Sequence, residues 1–152
     1  MTRGDSRRLT ATAAMAVAGI GVSAYLTLVH YDNSVLVCGV GDCQTVQSSR
    51  YSEIAGIPIA ILGLGMYLAL LGLTIARWRR PGLAETLVVA TFGIALAGVI
   101  YSAYLTYLEI AVIKAICQWC VISALLTLGI FAVEAANLRR VMATPEIDEG
   151  AA

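Results

Sequence analysis

Residues 56–76 read GIPIAILGLGMYLALLGLTIA, twenty-one residues without one charged side chain. At about 1.5 Å of rise per residue, a helix of that length covers the ~30 Å hydrocarbon core of a bilayer. Three more apolar runs accompany it, from Leu9 to His30, Leu87 to Leu108 and Ala111 to Phe131, the last interrupted only by Lys114. In a chain of 152 residues, 59% hydrophobic and 13% charged, these spans leave room only for an outer loop over 31–55, short connections and tails. The expected fold is an all-α membrane protein. Residues 1–140 would form a four-transmembrane-helix bundle whose outer loop carries a short amphipathic helix, and 141–152 a disordered cytoplasmic tail. Pro58 stands at the outer start of the second span, where its missing N–H costs nothing.

Arginine and lysine placement orients the bundle. Arg3, Arg7 and Arg8 precede the first span, Arg77, Arg79 and Arg80 fall in the second connection, and Arg139 and Arg140 follow the fourth; the other side holds Arg50 and Lys114. The positive-inside rule therefore puts both termini in the cytoplasm of a cell (plasma) membrane protein and the 31–55 loop outside. The first span is longer than the apolar core of a signal peptide, and Val22, Ser23 and Ala24 offer a poor cleavage site in mid-helix, so it reads as retained. Gly93 with Ala97, and Gly63 with Tyr67 and Gly65, mark faces for close helix approach. Tyr25, Tyr31, Tyr101, Tyr104, Tyr107 and Trp119 gather at the outer boundary, as an aromatic belt does.

This topology brings all four cysteines to the outer side. Cys117 and Cys120 form a C-x-x-C in the fourth span, an i, i+3 spacing that lets the two sulfurs close a disulfide. The unpaired N–H groups of the helix start and Lys114 favour the Cys117 thiolate. Cys120 lies one turn deeper, toward the lipid. Cys38 and Cys43 enclose Gly39, Val40, Gly41 and Asp42, a flexible ring with two glycines. A mobile outer pair beside a fixed inner pair suggests a thiol relay: electrons enter at Cys38/Cys43, pass to Cys117/Cys120 and leave from Cys120 to an acceptor in the membrane. Structural disulfides and a zinc site made of the four cysteines are the competing readings of the same sulfurs, and both describe a membrane scaffold without catalysis. Covalent haem attachment is excluded, because Val121 occupies the place where it needs histidine. Glu109, Asp32 and Asp42 are outer-side groups able to supply protons, and the sequence does not choose among them; His30, the single histidine, reads as an interface residue at the outer end of the first span.

Several further features lie in one order: Cys38 and Cys43, then Val46-Gln47-Ser48-Ser49-Arg50-Tyr51, then Gly56-Ile57-Pro58 opening a helix with Gly63 and Tyr67, then Leu108-Glu109, Cys117-x-Trp119-Cys120 and Ser123. Together they resemble the bacterial vitamin K epoxide reductase homologues across nearly the whole chain. That resemblance implies an oxidoreductase built around a quinone, menaquinone or ubiquinone, with Cys117 and Cys120 beside the ring. It implies that Cys38 and Cys43 shuttle electrons from a separate thioredoxin-fold thiol oxidase, serving extracytoplasmic disulfide formation. Ser49 matches the serine that caps the family's site, able to hydrogen-bond a cysteine or the quinone; it is equally readable as the cap of a short surface helix. Ala60, Tyr67 and Ala124, with Cys120, complete the implied quinone contacts. Ala60 and Ala124 replace the Asn and Tyr of the vertebrate enzymes, so epoxide reduction does not follow. In the unrelated four-helix quinone-linked disulfide oxidases the two cysteine motifs come in the opposite order.

Overall fold

The computed structural model describes residues 3–143; of the tail expected over 141–152, residues 141–143 instead continue the last helix, and 144–152 lie outside the described residues. Four long helices form the bundle: α1 (Arg3–Tyr31), α3 (Ile59–Arg79), α4 (Ala84–Tyr107) and α5 (Gln118–Ala143), with the short α2 (Cys43–Gln47) in the outer loop. Each long helix is long and apolar enough to cross a membrane. The chain is an all-α multi-pass membrane bundle.

Helices α1 and α4 each pack against both α3 and α5, so the four stand as a ring. Its centre is Ala16, Tyr67, Leu70, Ala95 and Ile130. The close approach of α1 to α3 depends on Gly19, where a Cβ would strike the Tyr67 ring. Gly98 does the same between α3 and α5, facing Met66 and Thr127. Of the expected packing glycines, Gly63 meets Ser23 of α1, but Gly65 and Gly93 have nothing within 4 Å of a Cβ position and face outward. Small residues alone do not reveal which face of a helix is turned inward, because a lipid-facing glycine is as apolar as a packed one.

Two further corrections come from charged residues. Arg77, expected in the second connection, belongs to α3 and is buried. Its Nη1 donates to Glu134 Oε2 at 2.7 Å, while Thr12 Oγ1 donates to Glu134 Oε1 at 2.9 Å and Asn137 Nδ2 to Oε2 at 3.2 Å. Arg8 reaches Asn137 Oδ1 at 3.2 Å. One fully buried carboxylate thereby joins α1, α3 and α5, satisfied on both oxygens as a charge at such depth requires.

The fourth span also departs from Ala111–Phe131. Continuing from α4, Leu108–Ile113 adopts π-helix. Lys114 then turns into the left-handed region (φ 57°) and α5 begins only at Gln118. Glu109 and Lys114 look like a short interruption in one apolar run, yet the backbone uses 108–117 to reverse direction.

The outer loop folds compactly. Asp42 caps α2, accepting from Thr45 N and Thr45 Oγ1 at 3.1 and 2.6 Å, which holds its carboxyl below the usual range. Cys43 and Val46 turn inward, giving α2 its amphipathic face. A hairpin pairs Glu53–Ile54 with Ile57–Pro58 through Ala55 and Gly56, both at positive φ. His30 meets Glu53 at 2.9 Å, tying the end of α1 to this hairpin.

Candidate functional site

Cys117 is the residue immediately before α5, rather than two turns inside a helix. Its carbonyl accepts the first α5 hydrogen bond from Val121 N at 3.1 Å, and its own N–H donates to Glu109 Oε2 at 3.1 Å. Cys120 falls on the first helical turn, and the two sulfurs are free and hydrogen-bonded to each other. That bond from Cys120 holds the Cys117 thiol down to about 7; the N–H groups of Cys120 and Trp119 assist, while burial and the Glu109 charge oppose it. The helix start thus acts as expected, but the sequence-based emphasis on Lys114 is replaced by Cys120: Lys114 is exposed in the turn and has no part in the depression.

Cys38 and Cys43 are joined in a disulfide, with 6.0 Å between Cα atoms. Two of the four sulfurs are thereby removed from any four-cysteine metal set. Cys43 is wholly buried and packs with Val46 and Cys117 in one apolar cluster, whereas Cys38 lies at its partly exposed edge.

The loop that carries this disulfide is clamped to the C-x-x-C by the two residues between its cysteines. Gln118 Oε1 accepts from Gly39 N and Val40 N at 3.1 and 2.9 Å. Trp119 Nε1 donates to Val37 O at 2.9 Å, and its ring lies 4.9 Å from that of Tyr25. The Tyr25 hydroxyl in turn accepts from Val37 N and donates to Val35 O. Asp42 N donates to Ile116 O at 2.9 Å, beside an antiparallel bridge between Gly41 and Cys117. Gly41 has φ 88° and no room for a Cβ against Ile116 O, so glycine alone suits this contact.

Beneath the pairs lies a cavity of about 360 Å³, lined by all four long helices and by Gln47 of α2. Its wall is largely apolar. Cys120, Ala60 and Ala124 line it, together with Tyr101, Ser123 and the close-packed Gly98. Tyr67 does not: it is fully buried, its hydroxyl bonded to Ser123 and Thr127, and it braces the cavity floor from behind. Nor does Ser49, whose Oγ donates to Val46 O at 2.8 Å at the C-terminal end of α2. Ser49 therefore closes the short helix at its far end; the N-terminal cap is Asp42.

Volume and lining suit a flat apolar ring with one polar edge, within the ordinary range for small-molecule sites. Cys120 is the one described cysteine on that wall.

Three functional positions were not singled out by sequence. Gln118 reads as a spacer, Trp119 as a residue of the aromatic belt and of the C-x-x-C motif, and Gln47 as part of a motif; only the fold brings them against the loop and cavity. Glu109 is one of three carboxylates that the sequence leaves equal, and its burial beside Cys117 distinguishes it from Asp32 and Asp42, which are exposed.

A family model described as the vitamin K epoxide reductase family matches residues 10–135. The match runs from α1 through the loop disulfide and the C-x-x-C into α5, and includes every residue of the site.

Proposed function

The chain belongs to the vitamin K epoxide reductase family, a membrane thiol–disulfide oxidoreductase lineage whose members use quinones, and on that premise we propose that it oxidises a thioredoxin-fold protein outside the cell membrane. The termini lie in the cytoplasm, as the arginine distribution requires, and the cysteines lie on the outer side. Cys38, at the exposed edge, meets the partner. Cys43, buried against Cys117, hands the electrons inward. Cys120, on the wall of the apolar cavity, is the exit.

The single observation carrying this reading is the division of labour among the sulfurs: one exposed, two sealed together, one on the cavity wall. In the relay, the reduced loop pair delivers a Cys43 thiolate to the sulfur of Cys117 when the helical pair is a disulfide. The Cys43–Cys117 bond forms as the Cys117–Cys120 bond breaks. Cys38 then attacks Cys43, and Cys117 leaves; its thiol, held down to about 7, is a good leaving group. The state seen here, loop pair oxidised and helical pair reduced, is the product of that exchange.

A quinone supplies a two-electron, two-proton acceptor when bound. Ala60, Ala124, Gly98 and Tyr101 would hold its ring beside Cys120, while Gln47 closes the cavity from the outer side. The chain's own part is to keep water from the Cys120 thiol, fix its distance to Cys117 through one helical turn, and let the Cys117–Cys120 disulfide form as the two thiols are oxidised.

Counting thiols tests this reading. Adding a soluble quinone to the purified reduced chain should remove the Cys117 and Cys120 thiols together, one pair per quinone reduced. Persistence of both thiols after quinone addition would reject the assignment.

A further inference from the structure

Glu109 is a buried carboxyl placed between two spaces. On its outer side a groove of about 480 Å³ is lined by Gly41, Asp42, Lys114 and Ile116, the strand of loop just before Cys43 among them. On its inner side a largely apolar cavity of about 50 Å³ carries Cys120 on its wall with Ser49, Tyr51 and Ser52. The carboxylate itself accepts from Cys117 N–H at 3.1 Å, and it shares the wall of the inner cavity with Cys120. No ion pair to Glu109 occurs among the described residues. The π-helix at Leu108–Ile113 gives this placement: such turns are rare and concentrate at functional sites.

We propose that Glu109 is the general acid of the exchange between the two cysteine pairs, giving its proton to Cys120 as that sulfur leaves Cys117. This rests on the relay order given above. The balance closes within the chain. Attack by Cys43 forms the Cys43–Cys117 bond and breaks Cys117–Cys120, the electron pair going to Cys120 Sγ, which takes the Glu109 proton. Attack by Cys38 forms the Cys38–Cys43 bond and breaks Cys43–Cys117, the pair going to Cys117 Sγ. The two protons that leave Cys38 and Cys43 are used to reload Glu109 and to protonate Cys117. No oxidant is consumed: one disulfide replaces another.

The position explains why a carboxyl is useful here. Cys120 is half-buried above an apolar cavity, where a bare thiolate is costly. Protonation as the bond breaks removes that cost. The titratable groups facing Glu109 are Cys117 and Cys120 from the start of α5, Tyr51 from the inner cavity, and Asp42 and Lys114 across the outer groove; of these, Cys117 is bonded to its carboxylate through the backbone N–H and Cys120 shares the inner cavity with it.

The test uses no quinone, so its failure is separate from failure of the acceptor assignment. The full chain, with both pairs oxidised, is mixed with a reduced thioredoxin-fold protein or with dithiothreitol, quenched by alkylation, and Cys120 thiol is counted over time by mass spectrometry. E109Q keeps an acceptor for Cys117 N–H but has no proton to give. It is expected to slow release of Cys120 by about 100-fold, the ordinary worth of a positioned acid, and to lose the wild-type dependence of that rate on pH. E109D retains the acid and should recover most of the rate together with a pH-dependent profile. If E109Q keeps the wild-type rate and profile, or if E109D is slowed as much as E109Q, the proposal is wrong.

Discussion

Cys43 and Cys117 lie in one sealed apolar cluster, neither exposing any surface to solvent, although seventy-four positions separate them in the sequence. Their contact is what the loop clamp accomplishes. In the proposed relay, Cys43 is therefore the member of the loop pair that exchanges with the helical pair. In a chain carrying Cys38→Ser and Cys120→Ser, the two remaining thiols should close to a Cys43–Cys117 disulfide under mild oxidation, seen as one linked peptide pair by mass spectrometry. Two free thiols in the folded double variant would contradict the pairing.

The clamp should matter for exchange and little for the bundle. Trp119→Phe keeps the ring against Tyr25 but loses the hydrogen bond to Val37 O, worth about 1 kcal/mol, or roughly fivefold in loop docking. Gly41→Ala should be worse, because φ 88° and the Ile116 carbonyl both resist a side chain. Rapid-quench alkylation, counting the Cys117 thiol over time, should report slower exchange in both variants, while reduction of Cys117 by a small membrane-permeant dithiol stays near wild type and thermal unfolding of the helices is unchanged.

Thiolate formation at Cys117 sets a pH dependence. Its pKa is lowered from 9.0 to about 7, so the thiolate dominates above that pH and is lost as pH falls through it, about tenfold per unit. Ultraviolet absorbance of the thiolate in the reduced chain should titrate with a midpoint near 7. Replacing Cys120 with Ala removes the first cause of the depression, and the midpoint should rise. A midpoint unmoved by that substitution would assign the effect to something other than the Cys120 hydrogen bond.

At the opposite end of the bundle, Glu134 is the junction of three helices. Glu134→Ala leaves the Arg77 guanidinium buried without its partner and should cost about 3–5 kcal/mol, read as a large drop in detergent unfolding temperature. Arg77→Met with Glu134→Leu together should recover much of the loss, since an apolar pair of similar volume leaves no orphan charge. Thiol chemistry at the outer end should survive in any variant that remains folded.

The bundle was legible because each span is a long apolar run with almost no charge, a signal that needs no knowledge of packing. The C-x-x-C and the loop pair were legible as chemistry for a similar reason: sulfur spacing survives in the sequence. What stayed hidden depends on direction. Glu134 sits near the end of an apolar run and reads as a flank, although the helix continues to Ala143 and carries it inward. Cys117 reads as mid-helix because 108–117 is nearly as apolar as a span, and a π-turn leaves no compositional mark. Gln118 looks like a spacer and Trp119 like a belt residue, since their partners at 37–40 lie far away in the chain. Tyr67 and Ser49 were placed by motif, and motif fixes a residue's address but not which way its side chain points.

The central claim is that electrons from an outer protein dithiol reach a membrane quinone only through Cys38/Cys43 and then Cys117/Cys120. Its most direct test is quinol formation by the purified chain in lipid nanodiscs, with a reduced thioredoxin-fold protein as donor, compared with a variant carrying Cys38→Ala and Cys43→Ala. The expected result is one quinol per donor disulfide in the wild type, loss of that turnover in the variant, and retained turnover of the variant with a small membrane-permeant dithiol. Equal quinol formation from the protein donor by both chains, or none by the wild type, would contradict it.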